Sequence, residues 1–253
     1  MPTEVQAHGF KRVYVWELPV RFYHWINALC ILVLAATGLL IAHPLALTRA
    51  TEASFSYWFG TVRFIHFLTA YVFLFNFAVR IYWGFVGNRY ADWKNFLPWR
   101  RAQFREVLAV LRVDVFQSRR AAVHAVGHNA LAYFTYFAMF LVFVFQVVSG
   151  FAMYAPMSQS WFPRLFAWAT PLFGGEYGLR QWHYGATWFF LIFTIVHVYL
   201  VFYHDYVEGH GVMSSMVGGW KFVETHVDER ARPADGKSWF APRRKASGPK
   251  GPA

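Results

Sequence analysis

The chain has 253 residues, of which 57% are hydrophobic and 21% aromatic but only 15% charged, and its formal net charge is +11. Soluble domains sit nearer a quarter charged, so the composition excludes an ordinary soluble domain and points to an integral membrane protein. The basic residues fall between apolar spans rather than on one soluble face, which sets nucleic acid aside as a partner, and the single cysteine, Cys30, leaves no internal disulfide, no CxxC zinc site and no CxxCH haem attachment.

In chain order, residues 1–20 lack an apolar core, so no cleaved signal peptide is expected. Four apolar spans follow, at about 22–42, 63–86, 130–154 and 183–203. Each is long enough to cross hydrocarbon, where backbone hydrogen bonding demands helices. The expected fold is therefore all-α: an integral membrane bundle of four transmembrane helices, occupying residues 1–230. Between the second and third spans, Phe104, Leu108, Leu111 and Val115 recur at helical spacing among arginines. They predict an amphipathic helix over 102–116, lying on the membrane surface or packed on the protein. The connection 155–181 is rich in Trp, Phe, Pro and Gly and is expected to lie in the interface or dock a partner. The tail 231–253 is rich in Pro, Gly, Lys and Arg and is expected to be disordered.

Orientation follows from the basic residues. Lys11, Arg12 and Arg21 precede the first span, eight arginines and lysines occupy 87–129, and eight more follow residue 204. The other two connections hold only Arg49, Arg164 and Arg180. Both termini are thus expected on the cytoplasmic side of a cell inner membrane.

Histidines inside apolar spans are costly and mark functional sites by default. His183 and His197 lie fourteen residues apart in the last span. That is just under four turns, so they share a face about 21 Å apart along the axis. His24 opens the first span and His66 the second. By depth, His66 pairs with His183 on the outer side and His24 with His197 on the inner side. Haem b takes two axial imidazoles, so the constellation predicts two non-covalent b haems, with these four residues as the iron ligands. Gly38, fourteen residues after His24, falls at the depth of the outer haem, where a small residue admits a macrocycle; it also fits a helix-packing glycine. Arg80, fourteen after His66, falls at the depth of the inner haem and could neutralise a propionate; it also fits a snorkelling positive-inside residue.

These residues resemble the b-type cytochrome subunit of membrane-bound nickel-iron hydrogenases. The resemblance runs from about residue 11 to 222. It is carried by Arg21-Phe22-Tyr23-His24-Trp25, Thr37-Gly38, Arg63-Phe64-Ile65-His66-Phe67, Gly127-His128-Asn129 and Gly150-Phe151-Ala152-Met153-Tyr154, and further on by Trp182-His183-Tyr184, His197-Val198-Tyr199 and Ser214-Ser215-Met216-Val217. It implies two partners on the periplasmic face, a small iron–sulfur subunit and a large nickel-iron subunit. It also implies that this chain performs no hydrogen chemistry itself and passes electrons through its haems to a quinone. Four helices and two haems would equally suit a formate dehydrogenase or thiosulfate reductase cytochrome. Relatives of the formate dehydrogenase type place a quinone near the residues matching His128 and Asn129, which makes this pair the quinone candidates; Asn129 also fits a helix cap.

Overall fold

The computed structural model describes residues 10–45, 57–88, 90–93, 130–208 and 211–224. The expected surface helix at 102–116, the tail 231–253 and the quinone candidates His128 and Asn129 lie outside them.

Among the described residues, strand β1 (Phe10–Tyr14) leads into helix α1 (Leu18–Ala42), followed by α2 (Trp58–Val86) and α3 (Ala130–Tyr154). A 3-10 turn at Ala155–Met157 and two single-turn helices, α4 (Trp161–Arg164) and α5 (Ala169–Leu172), form the connection to α6 (Gly175–Glu208). A short helix α7 (Val212–Gly218) and strand β2 (Trp220–Glu224) complete the order. Among the described residues, four helices are long and apolar enough to cross a membrane. Three of them end where the apolar spans end, at Ala42, Val86 and Tyr154, but every start except that of α3 is earlier than expected. Arg21, Arg63 and Arg180 interrupt the apolar runs without interrupting the helices. Pro19 suits the first turn of α1, where no backbone donor is needed. The 34 residues of α6 make a rod of about 51 Å, longer than the ~30 Å of bilayer hydrocarbon.

Helix α1 packs chiefly on α2, and α3 on α6. Large apolar side chains point outward along the spans, among them Leu29 and Leu32 on α1, Phe75 on α2 and Ile192 and Ile195 on α6. That is the surface a lipid environment accepts. All four helices share a seven-residue register. On α1 it passes through His24, Ile31 and Gly38; on α2 through His66, Phe73 and Arg80. On α3 it passes through Tyr136, Phe143 and Gly150, and on α6 through His183, Phe190 and His197. Seven residues are nearly two turns, so these positions stay on one face. The middle layer is an aromatic plug. Phe73, Phe143 and Phe190 are buried with Cys30, and Ile31 packs against them. Phe143 stacks on Phe77 with centroids 3.9 Å apart and meets Phe73 edge-on at 4.3 Å.

One end of the bundle is closed by a two-stranded antiparallel ribbon in which Phe10 pairs with Glu224 and Tyr14 with Trp220. Both termini of the described chain therefore leave the bundle at this ribbon end. Helix α7 is clamped there: Trp16 Nε1 donates to Ser215 Oγ at 3.2 Å, Trp25 Nε1 to the Met216 carbonyl at 3.0 Å, and Arg21 to the Val217 carbonyl. Glu17 ties α1 to the end of α2, accepting from Trp83 Nε1 and from the Asn88 amide, both at 2.9 Å. Gly219 has φ +84°, and a Cβ there would strike Tyr14 and the Trp16 carbonyl, so the turn into β2 needs glycine. At the opposite, far end, the expected interfacial connection is a compact set of turns. Ala152, Ala169 and Leu179 form its buried core, while Trp161 and Trp168 stay exposed.

Candidate functional site: two histidine pairs

The two outermost layers of the register contain the four histidines. At the far end, His66 on α2 and His183 on α6 are each held by a hydroxyl from the neighbouring helix. His66 Nδ1 lies 2.9 Å from Thr37 Oγ1, and His183 Nδ1 lies 2.8 Å from Ser149 Oγ. Ser149 is fully buried and Thr37 is 8% exposed. The residue after each hydroxyl is a glycine set against the same ring. A Cβ on Gly38 would come 3.4 Å from His66 Cε1, and one on Gly150 would come 3.3 Å from His183 Cε1. Gly38 thus lies beside the outer pair, at the depth expected. Gly150 was a motif residue in the sequence and gains its place only here, as the α3 counterpart of Gly38.

At the ribbon end, His24 and His197 face one another with centroids 6.4 Å apart and planes inclined by 55°. The His197 ring is stacked on Phe193, one turn earlier, and His24 meets Trp25 edge-on. His24 Nδ1 is buried and has no hydrogen-bond partner among the described residues. Beside them, Arg80 is 2% exposed in an aromatic cage. Its guanidinium carbon lies 5.5 Å from the Tyr23 ring, 5.2 Å from Trp93 and 5.1 Å from Tyr136, and its Nε donates to Tyr136 Oη. Arg80 and Tyr136 complete the layer that His24 and His197 begin. The register thus brings together six of the eight expected site residues, and the remaining two are His128 and Asn129.

Among the described residues, no three His, Cys, Asp or Glu side chains converge, so the donor sets on offer are pairs of imidazoles. The ribbon-end spacing suits an iron between them. Two metal–imidazole bonds of about 2 Å each, with the ring radii added, separate the centroids by about 6.3 Å, against the 6.4 Å observed. At the far end, the two glycines leave open the ground beside each ring that side chains would fill. An imidazole presents a ring-nitrogen lone pair that iron can take.

A model of the family described as prokaryotic cytochrome b561 matches residues 15–219. The chain belongs to that family. Its cytochrome b561 relatives include the "Probable Ni/Fe-hydrogenase B-type cytochrome subunit" of Cupriavidus necator, 43% identical over 84% of this chain and 88% of that protein. The protein of the same name from Azotobacter vinelandii is 40% identical over 84% and 89%. A hydrogenase 1 cytochrome subunit of Escherichia coli K12 is 35% identical over 82% and 90%. The resemblance read from the sequence is borne out, as is the all-α transmembrane bundle. The protein is a multi-pass membrane cytochrome of b type, and haem b is its cofactor.

Proposed function

We propose that this chain is the membrane anchor and electron conduit of a periplasmic nickel-iron hydrogenase, carrying electrons through two b haems to the quinone pool. His66 and His183 hold the outer haem and His24 and His197 the inner one. Electrons arrive from the iron–sulfur subunit at the far end, on the periplasmic side, and leave to quinone at the ribbon end, on the cytoplasmic side of the inner membrane. Haem supplies one-electron chemistry; the chain supplies ligands, spacing and a dry path. The observation that carries this reading is the pair of imidazole layers at opposite ends of one register, with an aromatic plug between them. Like-facing His183 and His197 are about 21 Å apart along α6, a gap that two porphyrins would largely fill. The plug layer holds no Asp, Glu, Lys or His to relay protons, which suits a path for electrons alone. The names of the relatives favour a hydrogenase partner over a formate dehydrogenase or thiosulfate reductase.

The test is purification of the native complex from membranes. Pyridine haemochrome on acid-acetone extracts should return about two haems per chain, the ratio that two bis-histidine pairs require. The co-purifying subunits should contain nickel and iron–sulfur clusters. A single haem removes one pair, and a partner without nickel replaces the hydrogenase assignment. An alkaline phosphatase fusion at residue 230 should be inactive, because the basic residues put that end in the cytoplasm.

A further inference from the structure

The far-end histidines carry a feature that their role as ligands does not account for. Thr37 Oγ1 lies 2.6 Å from the carbonyl of Val33 and 3.3 Å from that of Leu34. Ser149 Oγ lies 2.7 Å from the carbonyl of Phe145 and 3.3 Å from that of Gln146. A carbonyl can only accept, and a hydroxyl has a single proton. Each proton is therefore committed to the hydroxyl's own helix, one turn back, as mid-helix Ser and Thr commonly do. The hydroxyl oxygen can then meet the neighbouring Nδ1 only as an acceptor. Nδ1 of His66 and of His183 must carry the proton, which leaves Nε2 with the lone pair.

From this we infer that Thr37 and Ser149 are positioning residues for the outer haem: they select the Nε2-ligating tautomer of His66 and His183, fix the planes of both rings and make both imidazoles stronger electron donors. The inference rests on the haem assignment made above. The two halves of the device are built alike. On α1 and on α3 a hydroxyl residue directly precedes the glycine that lies against the same ring, so one turn of helix both orients the imidazole and clears space beside it. Among the described residues the inner pair lacks the device on at least one side, since His24 Nδ1 meets no hydrogen-bond partner there. A ligand imidazole whose distal N–H is hydrogen-bonded is more basic. It favours ferric over ferrous iron, so the two hydroxyls lower the potential of the outer haem and leave the inner one alone.

The experiment is a visible-absorbance redox titration of the intact purified complex, comparing Thr37→Val and Ser149→Ala with the conservative Thr37→Ser and Ser149→Thr. Each hydroxyl removed should lower the ferric-to-ferrous ratio of one haem component at fixed applied potential by about two- to tenfold, the upper bound being the full net worth of one hydrogen bond. The double variant should show both shifts, and the second component should not move. The conservative variants should titrate as the parent does. If Thr37→Val or Ser149→Ala loses the outer haem outright, retention of that haem at the parental potential in Thr37→Ser and Ser149→Thr supports the role equally. The inference is overturned if the hydroxyl-free variants keep both haems at unchanged potentials, if the shift falls on the component that His24→Ala removes, or if the conservative variants behave like the hydroxyl-free ones. His66→Ala separates the two levels of argument. If that variant keeps both haem components, the ligand assignment has failed. If it loses one while Thr37→Val leaves that component's potential unmoved, the positioning role alone has failed.

Discussion

The far-end and ribbon-end layers descend from the same register, yet they treat their histidines differently. At the far end each ring is gripped by a buried hydroxyl and flanked by a glycine. At the ribbon end the rings rest on aromatic neighbours, and a buried arginine lies in the same layer. Polar positioning at one site and a fixed cation at the other act in the same direction. If the two pairs hold haems as proposed, the first favours ferric iron at the far end and the second favours ferrous iron at the ribbon end. Two such sites with like ligands would then acquire unlike affinities for an electron from what surrounds the ligands.

The largest break in this comparison comes from removing a ribbon-end ligand. His197→Ala should abolish one haem component and stop hydrogen-dependent quinone reduction. Hydrogen oxidation with a soluble dye should continue near the parental rate, because the dye draws electrons before they reach this chain. Wild-type quinone reduction in that variant would move the exit to the far end. A smaller effect is expected from Arg80→Gln. For an assumed separation of ~10 Å and an effective dielectric of ~20, a unit charge is worth about 1.7 kcal/mol, or somewhat more than tenfold in the ferric-to-ferrous ratio. The ribbon-end component should become harder to reduce by that amount, read in the same redox titration, with the far-end component unchanged. The smallest effect should come from Gly150→Ala, whose new methyl would press on His183 at 3.3 Å. Occupancy of the far-end haem should fall by about two- to fivefold, in keeping with the roughly 1–3 kcal/mol cost of overpacking less what ring movement relieves. Gly185→Ala on α6, where a Cβ would meet nothing within 4 Å, should bind haem normally.

Much of this arrangement could be read from the residues, because intramembrane polarity is rare. His24, His66, His183, His197 and Arg80 announce themselves against apolar runs, and their fourteen-residue spacings give the two layers directly. Thr37 and Ser149 do not stand out in that way. A hydroxyl bonded to its own helix carries no charge and costs little, so a search for ionisable groups passes over it. The recurrence of a hydroxyl residue before glycine, in Thr37-Gly38 and again in Ser149-Gly150, was the available signal. Tyr136 and Gly150 extend the same spacing to α3, a step the histidines could not suggest because α3 contributes none to either pair. The β1–β2 ribbon was out of reach for a different reason. Its strands are five residues each and lie about 200 positions apart, and nothing local tells one that the other exists.

Helix α6 bears one histidine of each pair, and it is the last of the four spans in the chain. During synthesis α1, α2 and α3 enter the bilayer with His24 and His66 each facing no opposite imidazole. The pair with His66 waits for residue 183 and the pair with His24 for residue 197, and the clamp of α7 on Trp16, Arg21 and Trp25 closes later still. Two-ligand capture of haem at the proposed sites therefore waits for α6. A nascent chain halted before α6 would offer an iron porphyrin one imidazole at each proposed site instead of two, and so a weaker hold.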